Sequence, residues 1–98
     1  MKNAAVKGFL ERFDALLEAL DELDGGEELE ELNAQFEDAI FLMECTDPDA
    51  ERDEFCGALE EIEGLLAEYR ALSERVPGLR QKALELEMAV QMAGANLA

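Results

Sequence analysis

The side chains that could do chemistry in this chain are carboxylates and little else. Its 98 residues carry 25 acidic and 8 basic groups, a net charge of −17, and no histidine. Without imidazole there is no histidine acid–base catalysis or phosphohistidine relay, and most transition-metal sites lose their usual ligand. The Glu-x-x-His element of di-iron helical bundles is excluded as well. The hydroxyl groups are those of Thr46, Tyr69 and Ser73, and Ser73 has no base nearby in sequence to activate it. No glycine-rich phosphate loop is present, and Gly25-Gly26 has the character of a helix stop. Two carboxylates can share acid–base work, but among 25 acids the nearness of any two carries no information. The expectation is a protein that binds and does not catalyse, with no catalytic residue, no metal site and no cofactor.

Two local patterns come close to chemistry and fall short. Asp47, Asp49, Glu51 and Asp53 alternate as in the first half of a calcium loop. Arg52 then stands where a glycine must turn that loop, and Ala58 where its bidentate glutamate belongs. Asp47-Pro48 is instead expected to cap a helix, with Pro48 at the first helical position. Cys45 and Cys56 flank the same turn with an offset of about eight residues, or ~12 Å along a helical hairpin. A disulfide needs Cα atoms within ~7 Å, so two free, partly buried thiols are expected.

These groups must be positioned by helices. Apolar residues make up 49% of the chain. β-branched residues are few, while Leu, Ala, Glu and Met, which lose little freedom in a helix, dominate. The pattern predicts a single all-α domain over residues 1–98, an antiparallel three- to four-helix bundle of amphipathic helices spanning about 3–24, 27–45, 48–75 and 79–96. In the first, Val6, Leu10, Phe13, Leu17 and Leu20 form a heptad seam, flanked by Phe9, Leu16 and Leu23. Gly25-Gly26 is expected to end it through a left-handed cap. In the second, the seam is Leu29, Leu32, Phe36, Ala39 and Met43, flanked by Ile40 and Leu42, with Phe41 near the opposite face as an exposed anchor. In the third, it is Phe55, Leu59, Ile62, Leu66 and Tyr69, flanked by Ala58, Leu65 and Leu72. Val76-Pro77-Gly78 either kinks the chain or separates a fourth helix.

The fourth segment differs from the rest. Leu79, Ala83, Leu86, Val90, Ala93 and Leu97 make one seam, and Leu84, Met88, Met92 and Ala95 a second. A helix apolar on two faces is buried on two faces. Two outcomes follow: an intramolecular core helix, or a helix whose second seam, Leu84, Met88 and Met92, packs on another chain as in a homodimer. Its charges cancel, Arg80 and Lys82 against Glu85 and Glu87, so the entire −17 falls in residues 1–76.

That acidity is concentrated. Asp21, Glu22, Asp24, Glu27, Glu28, Glu30 and Glu31 place seven acids in eleven residues. The first three sit at a helix C-terminus, where the macrodipole disfavours them. Glu44, Asp47, Asp49, Glu51, Asp53 and Glu54 lie at the other end of the hairpin, and Glu60, Glu61, Glu63 and Glu68 continue along the third helix. Such a surface is either a solvated face with an acidic bias or an array of carboxylates that imitates nucleic-acid phosphates. The sign of the charge excludes direct nucleic-acid or anionic-membrane binding, which needs Lys and Arg. The expected partner is a protein with a basic surface. No run of 18 apolar residues suggests a membrane span, and Met1-Lys2-Asn3 leads into an amphipathic pattern and not a signal region, so a cytoplasmic location is expected. In size, charge and lack of catalytic groups the chain resembles the small acidic anti-restriction and anti-CRISPR inhibitors, a likeness of character that no motif carries. The resemblance implies an inhibitor or regulator occupying a nucleic-acid-binding groove. The alternative is a self-associating adaptor or assembly protein that uses the fourth helix, its acidity serving solubility.

Overall fold

The computed structural model describes residues 2–97, with side chains from Val6 to Ala95. Four helices follow one another: α1 (Lys2–Asp21), α2 (Gly26–Glu44), α3 (Arg52–Leu72) and α4 (Leu79–Leu97). Each is 19 to 21 residues long, about 30 Å at 1.5 Å per residue. Among the described residues each helix contacts its two neighbours in the order α1–α2–α3–α4–α1, and no contact crosses a diagonal. The result is an antiparallel four-helix bundle with a square cross-section, 40 Å long and 19 Å across.

The heptad seams form the core. Every seam residue of α2 and α3 is buried, as are Phe9, Phe13, Leu16, Leu17 and Leu20 of α1, while Val6, Leu10 and Leu23 are partly covered at its margin. A string of edge-to-face aromatic contacts runs through the bundle. Phe55 meets Phe9 at 6.1 Å between centroids, Phe9 meets Phe13 at 6.0 Å, Phe13 meets Phe36 at 5.9 Å and Phe36 meets Tyr69 at 6.4 Å. These geometries favour aromatic pairs beyond the area they bury. α4 adds no ring. Its inner face is Leu79, Ala83, Leu86, Ala89, Val90 and Ala93, so three alanines let it lie close to α1 and α3.

Four sequence expectations need correction. α1 ends at Asp21 and not near Asp24; Asp21, Glu22 and Asp24 oppose the negative C-terminal end of the helix dipole. Residues 22–25 form a connection in which Leu23 N–H bonds to the Leu20 carbonyl at 3.1 Å. The left-handed glycine, Gly26 at φ 74°, therefore opens α2 and does not cap α1. α3 begins at Arg52 and not at Pro48. Asp47 does cap the chain there, its Oδ1 accepting from the N–H groups of Asp49 (2.8 Å) and Ala50 (3.2 Å), while Glu51 Oε1 accepts from Asp47 N–H (3.1 Å). The single turn so capped is bent at Glu51, whose ψ of 47° lies outside the helical range, before the regular helix starts. α3 closes at Leu72, and residues 73–78, with Gly78 at φ 85°, separate it from α4, so the two are distinct helices. Finally, Leu42 is exposed and not in the flank of the α2 seam; Ile40 alone fills that place.

Candidate functional site

Three side chains make a polar thread across the core. Tyr69 Oη donates to Asn33 Oδ1 at 2.8 Å, and Asn33 Nδ2 donates to Asp21 Oδ1 at 3.0 Å. It ties α3 to α2 and α2 to the end of α1. Tyr69 and Asn33 are buried, whereas Asp21 stands at the surface. Burial, and then the Asp21 carboxylate, push the Tyr69 phenol well above its ordinary 10.0. Tyr69 is thus a neutral hydrogen-bond donor at any physiological pH, not an acid–base group. Sequence reading placed Tyr69 in the seam and missed Asn33, whose only signal was a polar residue between Leu32 and Phe36 on the inner side of α2. Asp21, expected as part of an acidic partner-binding surface, has a structural role in this thread.

All twelve acids expected at a partner surface are exposed: Asp21, Glu22, Asp24, Glu27, Glu28, Glu30, Glu31, Asp49, Asp53, Glu54, Glu60 and Glu61. The fold does not gather them into one site. Asp49, Asp53 and Glu54 belong to the α2–α3 hairpin end, and Asp21 to Glu28 to the far end, where the α1–α2 and α3–α4 connections meet. Leu23 and Gly78 approach each other there: a Cβ on Gly78 would meet Leu23 Cδ2 at 3.2 Å. Arg75 crosses from the end of α3 to Glu28, Nη2 to Oε2 at 2.9 Å, in an exposed pair. Exposed pairs of this kind stabilise by ~0–1 kcal/mol.

Between the ends, the groove of α2 against α3 is lined by Glu28, Glu31, Gln35 and Asp38 from α2, by Glu61, Gly64 and Glu68 from α3, and by Arg75 from the connection after α3. Glu68, expected along the acidic face of the third helix, lines this groove, and Asp38 joins it although sequence reading did not place it at the surface site. The signal was available: Asp38 follows Glu31 by seven residues, and Glu68 follows Glu61 by seven. Two turns of helix return each pair to one face, ~10 Å apart. No side chain at Gly64 divides the groove, and a Cβ there would meet nothing within 4 Å. By helical register the outer faces of α1 and α2 are acidic too, through Glu11, Asp14, Glu18, Glu30 and Glu37, all exposed. Phe41 stands exposed, as expected.

α4 shows the opposite surface. Leu84, Met88 and Met92 are 51%, 63% and 52% exposed, and Ala95 is exposed with them. The expected second seam exists, but it is not part of an intramolecular core. α4 occupies one corner of the square, and its two neighbours cover only its inner face. Leu97, assigned to the first seam, lies outside the described side chains. The charges beside the stripe are paired within the molecule, Glu87 with Arg70 of α3, and Glu85 Oε2 with Lys82 Nζ at 3.2 Å.

The remaining candidates are quiet. Cys45 and Cys56 are free thiols, Cys45 exposed and so not partly buried as expected, Cys56 half-buried. Among the described residues no three Asp, Glu or Cys side chains converge in a metal-binding geometry. The Asp47 carboxylate, the first position of the incomplete calcium pattern, is engaged as a cap. Among the described residues no helix is long and apolar enough to cross a membrane. No family model, curated protein or solved structure matches the chain.

Proposed function

We propose that this protein is a non-catalytic binding module whose acidic side occupies a basic, nucleic-acid-binding surface of another protein. The observation that supports it most is the segregation of charge. The net charge is −7 on α2 and −4 on α3, against −1 on α1 and zero on α4. A protein acidic only for solubility has no need to keep two of its four helices near neutral. Carboxylates held on helices at ~5–6 Å (three or four residues apart) and ~10 Å (seven apart) offer a basic groove an array on the scale of backbone phosphates. The α2–α3 groove, with Glu31, Asp38, Glu61 and Glu68 on its walls, belongs to that array. In the cell such a module is an inhibitor or regulator, because a partner that holds it cannot hold nucleic acid with the same surface.

Association driven by opposite fields is fast and steeply weakened by salt. The test is capture from a cell lysate by the immobilised chain at ~0.05 M and ~0.5 M salt, with and without excess duplex DNA. The expected catch is enriched in nucleic-acid-binding proteins that are released both by salt and by DNA. A catch indifferent to both contradicts the proposal.

A further inference from the structure

We infer that the α2–α3 groove receives a basic helix of the partner whose arginines recur every seven residues, and that Arg75 holds one end of the groove until that helix displaces it. The inference rests on the proposed function and names the segment that the acidic side accepts. Two facing stripes build the groove. Glu28, Glu31, Gln35 and Asp38 recur along α2 at steps of three, four and three, and Glu61, Gly64 and Glu68 along α3 at steps of three and four. Each stripe therefore keeps to one face of its helix. Between them lie two hollows of about 260 and 420 Å³, which share Gln35 and Glu68 and so join into one trough. Buried Leu32, Leu65 and Leu72 stand beneath it.

Charge and spacing select the occupant. The facing flanks of neighbouring helices ordinarily carry opposite charges, which pair across the contact. Here they carry the same sign: Glu31 and Glu68 line one hollow, Asp38, Glu61 and Glu68 the other. Among the described residues Arg75 is the one cation that lines either hollow. Its guanidinium reaches Glu28 across the groove, Nη2 to Oε2 at 2.9 Å, so the chain already seats at one end the group that the rest of the trough is charged to receive. Glu31 and Asp38 are seven residues apart, as are Glu61 and Glu68, which spaces the carboxylates of each wall by ~10 Å. A helix laid along the groove advances by the same ~10 Å every seven residues, so arginines at that interval meet both walls together. Arg75 yields its place readily, because its pair with Glu28 is exposed and weak.

The test is calorimetric titration of the full chain at low salt with two helical peptides of identical composition. One carries its arginines seven residues apart, on one face; the other carries them five apart, which turns them to different faces. The first should bind at least ~10-fold tighter, since only its register matches the groove. Arg75→Gln should tighten that binding by a further ~3–5-fold, the scale of an exposed ion pair. Arg80→Gln removes the same charge from the α3–α4 side of the molecule and should change it by less than ~2-fold. Equal affinity for the two peptides overturns the inference and leaves the proposed function standing. Equal effects of Arg75→Gln and Arg80→Gln overturn the part assigned to Arg75. Binding of neither peptide overturns the inference and the proposed function together.

Discussion

The α2–α3 flank and the α4–α1 flank are built by the same rule and finish with opposite surfaces. Both bury a heptad seam in the common core, and both leave a second helical face to solvent. On α2 and α3 that face is Glu31, Asp38, Glu61 and Glu68. On α4 and α1 it is Leu84, Met88 and Met92 beside Gly8, Ala15 and Ala19. A four-helix square covers only the inward part of each helix, so the outward part is free of the demands of folding. The two flanks fill that freedom differently, one with carboxylates and one with apolar side chains.

The largest expected effect tests whether the flanks share one folding unit. Phe36 is fully buried at the junction of the aromatic string, in contact with Phe13 and Tyr69. Phe36→Ala should destabilise by ~3–5 kcal/mol. Thermal melts followed by a probe on α4 and another on α3 should shift together; a variant in which only one flank melts would divide the molecule into two units.

The next effect separates the flanks. Reversing Glu31, Asp38, Glu61 and Glu68 to Lys should weaken capture of a basic partner by ~100-fold or more, two tenfold steps of ~1.4 kcal/mol each. A pull-down against the wild type reads the outcome.

A smaller effect concerns the thread that holds the acidic side in register. Tyr69→Phe leaves the buried Asn33 carbonyl without its donor and should cost ~1–3 kcal/mol. Its pH dependence has a definite sign. The folded phenol is held above its ordinary 10.0, so its contribution is complete below pH 10 and is lost as pH rises beyond that value. Denaturant melts of the wild type should lose stability in that alkaline window, and Tyr69→Phe should lack this component.

The smallest effect probes the groove itself. Gly64→Ala should stabilise α3 by ~0.5–1 kcal/mol, because a Cβ there meets open space. If a partner side chain enters the groove beside Gly64, chemical denaturation will show the gain while capture of the basic partner weakens.

Much of this was legible in the residues. The four seams, the exposed Phe41 and the two faces of α4 follow from helical period alone, because burial in a bundle obeys it. Helix ends were less legible. Asp21 and Gly26 are separated by a connection whose length depends on Leu23 reaching toward Gly78, a contact 55 residues apart in the chain. The acidic positions were visible as a list but not as a surface. Glu31 and Asp38 face Glu61 and Glu68 only because α2 and α3 are neighbours in the square.

The division of the surface is tested most directly by an amide chemical-shift titration of the isotopically labelled chain with a short oligolysine at low salt. The expected shifts lie on the outer faces of α1, α2 and α3, strongest around Glu31, Asp38, Glu61 and Glu68, and they vanish at ~0.5 M salt. The outward residues of α4 from Leu84 to Ala95 stay in place. Shifts of equal size on the α4 stripe, or shifts that survive the salt, would contradict a molecule with one acidic side and one neutral one.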